Sequence, residues 1–169
     1  ASLDNLAPLI PKGIDYESNI DLLGVAFNAA VVNKLNKNGD GLDTATATAY
    51  TPNFVHKPTN IEHDKEKIVG HIAEAGFSAF GSSKILTPKE VETEKGAFNI
   101  SLGAVIYKSV NKSFTNLVEK SLDPEDPAYQ KVSASWEVGF SDYVLAVGSD
   151  SLEDARIISD PEKIEEMKG

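Results

Sequence analysis

Three histidines, His56, His63 and His71, fall within sixteen residues and are the only imidazoles in the chain. An imidazole titrates near neutrality, so such a cluster invites either metal binding or general-base chemistry. Their spacings of seven and eight fit neither the i, i+4 pair of a helical zinc motif nor a compact zinc hairpin. No metal site and no cofactor are therefore expected. His63 stands between Glu62 and Asp64 in a polar segment led by Pro58, which biases Lys57 toward extended backbone. A solvated loop histidine is the alternative to a base there. The second candidate is KVSASWEVGF at 131–140, where Val132, Ala134, Trp136, Val138 and Phe140 alternate with Ser133, Ser135, Glu137 and Gly139. A period of two puts both hydroxyls and the carboxylate on one face of a strand. A serine on a rigid strand is a good nucleophile platform when a base lies within reach. A half-solvated antiparallel strand with serine and glutamate outward has the same pattern. The third candidate, NKNGDG at 36–41, offers Asn38, Asp40 and Gly41 at calcium-loop positions counted from Asn36, but the twelfth is Ala47 where a bidentate glutamate is needed. A tight turn accounts for it better.

Composition limits what these residues could act on. The chain has 169 residues, 16 basic against 26 acidic side chains and a formal net charge of -10. That balance disfavours nucleic-acid binding, which needs a basic face to displace counterions. The single arginine, Arg156, excludes bidentate recognition of many phosphates. With no cysteine there is no disulfide, thiol nucleophile or cysteine-bound metal, so a nucleophile would be serine or threonine. No apolar run approaches the ~20 residues of a membrane span, and no signal-peptide h-region opens the chain. A cytosolic, acidic single domain is the expectation.

The elements that must position these residues read as β-rich. Residues 1–20 form a proline-containing arm, with docking on something else left open. Residues 21–32 (DLLGVAFNAAVV) read as a buried strand. Residues 43–50 read as a short helix capped by Asp43 and ended by Pro52. Residues 56–64 are extended, and 68–81 alternate around Ile68, Gly70 and Ile72 as a strand entering a glycine turn. KILTPKEVETEKGAF reads as a short strand, a turn and a return. NISLGAVIYKSV at 99–110 has the clearest strand composition. Phe114, Leu117, Val118 and Leu122 lie at helical spacing, so 112–122 is an amphipathic helix. Residues 142–148 are expected to pair with 131–140, and the charged tail from 153 is weakly helical. The expected architecture is α+β, an antiparallel sheet or partly closed barrel of about six strands with one or two helices. Residues 1–20 would be the arm, 21–150 the domain and 151–169 a tail.

The block KPTNIEHDKEKIVGHI at 57–72 resembles the assemblin-type capsid maturation proteases, which include the herpesvirus assemblins and the prohead proteases of tailed bacteriophages. Pro58, Asn60, His63, Asp64, Gly70, His71 and Ile72 fall on their shared histidine block. AAVVNKLNKNGD is similar to the segment that precedes it in phage prohead proteases, and KVSASWEVGF is similar to their nucleophile strand. The likeness spans about residues 22–148 and implies an assemblin-like fold. It implies His63 as general base and Ser135 or Ser133 as nucleophile, with Ser135 slightly preferred. Asp142 would be the third member, orienting the imidazole, with Asp150 and Glu137 as rivals. Because Arg156 lies in the tail, oxyanion donors would be backbone N–H groups. The implied function is a phage prohead serine endopeptidase that cleaves scaffold and major capsid protein, and itself, inside the procapsid in the bacterial cytoplasm. Self-association is left open. The alternative is a non-catalytic virion component built on the same fold. Phage relatives tend to continue past the point where this chain stops, so a truncated or processed tail is also expected.

Overall fold

Phe98–Tyr107 (FNISLGAVIY) alternates apolar side chains with small, polar or aromatic ones, and both sets are buried. A strand buried on both faces needs a covering layer on each side. The computed structural model describes residues 3–35, 41–61, 64–127, 145–147 and 156–158. Among these lie β1 (Leu22–Val32), α1 (Thr44–Tyr50), β2 (Pro58–Ile61), β3 (Asp64–Ala79), β4 (Ile85–Leu86), α2 (Pro88–Thr93), β5 (Phe98–Tyr107), α3 (Lys112–Leu122), β6 (Leu145–Val147) and β7 (Arg156–Ile158). One antiparallel sheet has the order β1-β5-β3-β2, with β4 added on β3. Strands β6 and β7 form a separate antiparallel pair. Among the described residues the main sheet is open, ending at β1 and β2, rather than a partly closed barrel. The α+β class and the antiparallel sheet are as expected.

The front face of β5 carries Phe98, Ile100, Leu102, Ala104 and Ile106, all at most 5% exposed. Val25 and Val32 of β1 and Ile72 of β3 extend this layer, and Ala47 of α1, Val91 of α2 and Val118 of α3 cover it. Phe77 meets Phe98 edge to face at 5.6 Å between ring centroids. Ile72 and Phe77 differ in strand parity, and a register shift between Ile72 and Glu74 returns Ala75 and Phe77 to the apolar face. The back face carries Asn99, Ser101, Gly103, Val105 and Tyr107, and residues 3–16 lie across it. Leu6 of this arm is fully buried, and Leu9 rests on Gly76 and Gly103. The arm is a layer of this domain.

Local chemistry sets the helix ends. Asp43 accepts from the Thr46 amide at 2.7 Å, and after Tyr50 the chain tightens into a 3-10 turn, Thr51–Phe54, that opens with Pro52 near its start. Helix α2 was expected as a turn, yet Thr87 and Glu90 form a reciprocal capping box with Pro88 in the first turn. Helix α3 is capped by Asn111, but its buried residues are Thr115, Val118 and Ser121. Leu117 and Leu122, expected on the core face, are 48% and 38% exposed. A bond from Thr115 Oγ1 to the Lys108 carbonyl at 3.0 Å fixes this rotation about the helix axis. Strand β1 is a strand as expected, though most of it is half-buried because it pairs with β5 alone among the described residues. In the tail, Arg156–Ile158 is a strand paired with β6 rather than helical. The partner expected for 142–148, residues 131–140, lies outside the described residues.

Two substitutions separate core from cap. Phe98→Ala should cost about 3–5 kcal/mol, and Thr87→Ala about 1 kcal/mol. Urea unfolding of the two variants should show that order.

Candidate active site

The histidine block maps onto β2 and β3. Pro58 pairs with His71, Thr59 with Gly70, Asn60 with Ile68 and Ile61 with Asp64. The register shifts on both sides of Asn60. On β3, Val69 is passed over at the first shift and Lys65, Glu66 and Lys67 at the second, so the pair is irregular where it approaches position 63. Bulges of this kind bend a strand and re-aim its side chains, and they concentrate beside active sites. His63 itself lies outside the described residues, as do Ser133, Ser135, Glu137, Asp142, Asp150 and the turn at 36–40.

The other two histidines have different surroundings. His56 is exposed and has left-handed backbone, φ 70°. Its amide donates to the Ile72 carbonyl at 2.7 Å, and the Ile72 amide donates to the Lys57 carbonyl at 2.9 Å, which carries the β2–β3 pairing back toward the 3-10 turn. His71 is half-buried on the back face, with Nδ1 2.7 Å from the Tyr107 hydroxyl and ring centroids 5.7 Å apart. Between the strands, Gly70 admits no side chain. A Cβ there would overlap the Val105 carbonyl oxygen and come within 2.9 Å of Thr59 Oγ1. The glycine of the block is thus explained by close packing of β2, β3 and β5. Upstream, Asn33 has φ 62° and is 6% exposed. Its side-chain amide donates to Thr44 Oγ1 at 2.9 Å and the Gly96 carbonyl at 3.1 Å. It joins the end of β1 to the start of α1 and to the loop before β5.

Sequence reasoning missed a polar cluster on the back face. Ser78 and Ser101 are fully buried, their hydroxyls 2.8 Å apart, and each lies within reach of Asn28 Oδ1 at 3.0 and 2.7 Å. Two hydroxyl protons thus serve three close contacts. Asn99 donates to Ser78 Oγ and to the Ala79 carbonyl, both at 3.1 Å. Asn28 donates onward to Ser83 Oγ at 2.9 Å. Ser83 has φ 59° and Gly81 φ 89°, so the cluster fastens the strained turn between β3 and β4 to the sheet. These serines are saturated by amide partners and sealed from solvent, so they are structural and no nucleophiles. The alternation of Asn99, Ser101 and Gly103 with Ile100, Leu102 and Ala104 was the available signal.

Asn28→Ala strips the acceptor shared by two buried hydroxyls and should cost about 1–3 kcal/mol. Tyr107→Phe removes one half-buried bond to His71 and should cost about 0.5–1.5 kcal/mol. Denaturant titration of both variants checks the ranking.

Comparison with protein-family models, with curated proteins and with solved structures finds no significant match to this chain.

Proposed function

We propose that the chain is a serine endopeptidase of the capsid-maturation type. The observation that supports this reading is the doubly shifted pairing around Asn60, a distortion adjoining the one histidine that the block assigns as base. Elsewhere β3 pairs with β5 through nine residue pairs with one shift, between Ile72 and Glu74, and β1 pairs with β5 with one, between Asn28 and Ala30, so the two shifts within the four pairs of β2 are the densest irregularity of the sheet.

In this mechanism, Ser135 or Ser133 attacks the scissile carbonyl carbon while His63 takes the hydroxyl proton. The tetrahedral oxyanion is held by backbone N–H groups. Its collapse breaks the C–N bond, and the imidazolium returns the proton to the departing amine. Water then attacks the acyl-enzyme by the same route in reverse. Asp142 orients the imidazole and stabilises its charged form without taking the proton. Scaffold and major capsid protein are the proposed substrates, together with the chain itself, within the procapsid. The net charge of -10 suits a protein that acts on proteins rather than on DNA.

Co-expression with the cognate scaffold and capsid protein tests this. The unmodified chain should generate processed bands. His63→Ala should slow their appearance by a factor on the order of 10⁴ or more, and so should alanine at whichever of Ser135 and Ser133 is the nucleophile. Identical band patterns for the unmodified chain and His63→Ala would mean the protein is not the protease, and a non-catalytic head component would then be the better reading.

A further inference from the structure

The back face of the sheet holds a trough that seats the arm. Gly24 of β1, Gly103 of β5 and Gly76 of β3 lie on three adjacent strands. A Cβ at Gly103 would overlap the Leu9 carbonyl oxygen, one at Gly24 would overlap Tyr16 and Ile10, and one at Gly76 would press Leu9 at 3.2 Å. The arm fills this trough with Leu6 fully buried and Pro11 buried.

The arm is nonetheless weakly tied to what it covers. No main-chain hydrogen bond joins residues 3–16 to the sheet among the described residues. Among the described residues, its side-chain link to the rest of the domain is Asn5 Nδ2 donating to the Ser82 carbonyl at 2.8 Å. The arm can therefore leave without breaking a rung of the β ladder. The segment that joins it to β1, Glu17–Asp21, is exposed. Its side-chain bonds are largely local, with Asp15 accepting from the Glu17 and Ser18 amides and the Ser18 hydroxyl. Beside it, the Lys108 amide donates to the Asp21 carbonyl, which brings the hinge alongside the turn before α3. Two large apolar residues stand open there, Ile20 at 76% and Val110 at 58% exposure.

We propose that the trough is a segment-binding site that accepts the arm of a second copy, so that two chains join by exchanging arms. The contacts made by a docked arm are the same whichever copy supplies it, and a short hinge favours such exchange. Exchange sets two hinges side by side, where each covers the Ile20 and Val110 of the other. The inference stands apart from the protease reading.

Sedimentation of three full-length chains tests it. The unmodified chain should form dimers as its concentration rises. Gly103→Ala, with a sound arm and a blocked seat, should need at least about tenfold higher concentration, and so should Leu6→Asp/Leu9→Asp, with a sound seat and a spoiled arm. An equimolar mixture of the two variants should regain dimers, because one sound arm meets one sound seat. A monomeric unmodified chain at millimolar concentration overturns the proposal, as does a mixture of folded variants that stays monomeric. If either variant fails to fold, a photoactivatable leucine in place of Leu9 decides, in a mixture of isotopically distinct copies of the otherwise unchanged chain. Crosslinks from one copy to the Gly103 segment of the other support exchange, and crosslinks confined to single copies refute it.

Discussion

Everything in this domain is arranged around the burial of one strand on both faces. Nine consecutive residues of β5, Phe98–Ile106, are buried, with no side chain more than 5% exposed. Each fully buried Val, Leu or Ile contributes about 1.5–3 kcal/mol, but only if both faces are covered. Three short helices cover the front, and the arm, a 3-10 helix over Leu3–Leu9 followed by irregular chain, covers the back. The second cover explains the glycines. The arm can lie that close only where the strands carry no side chains: Gly103 sits under the Leu9 carbonyl, Gly24 under the side chains of Tyr16 and Ile10, and Gly76 under that of Leu9. Strand β3 hydrogen-bonds along this doubly covered strand, so the histidine block starts from a rigid base.

That rigidity ends at a definite place. From Ala79 back to Gly70, β3 follows β5 with one shift; beyond Gly70 its pairing with β2 slips twice in two residues. The pairing is thus least regular at the end of the sheet beside which the proposed reading sets its base. The serines divide in the same spirit. Ser78 and Ser101 are consumed by Asn28 and Asn99 and hold the turn at 80–83, whereas the proposed reading assigns the chemistry to Ser135 or Ser133.

Much of the fold was legible because its signals are local. Asp43 before Thr44–Tyr50 announces a capped helix, and NISLGAVIY announces a strand. Helix α2 was missed because it is six residues long and buries only Val91, too little for a periodicity to register, although Thr87, Pro88 and Glu90 spelled a capped start. The rotation of α3 was misjudged because apolar spacing favours Leu117 and Leu122, whereas the bond from Thr115 to Lys108 turns them outward. The seat of the arm was out of reach, since its three glycines come from strands some fifty and thirty residues apart in sequence. For the candidate site, the residues named from the sequence, His63, Ser133, Ser135 and Asp142, lie outside the described residues. What the fold adds concerns their neighbours in sequence and other serines: why position 70 must be glycine, what His71 is bound to, and why Ser78 and Ser101 are poor nucleophiles.

The central claim is that a histidine-activated serine exists in this chain. The most direct measurement is labelling of the folded protein with a fluorophosphonate, followed by mass spectrometric location of the adduct. One phosphonylated serine is expected, Ser135 or Ser133, with labelling lost in His63→Ala. Labelling that is no faster than in the unfolded chain, or that survives the loss of His63, would contradict the claim.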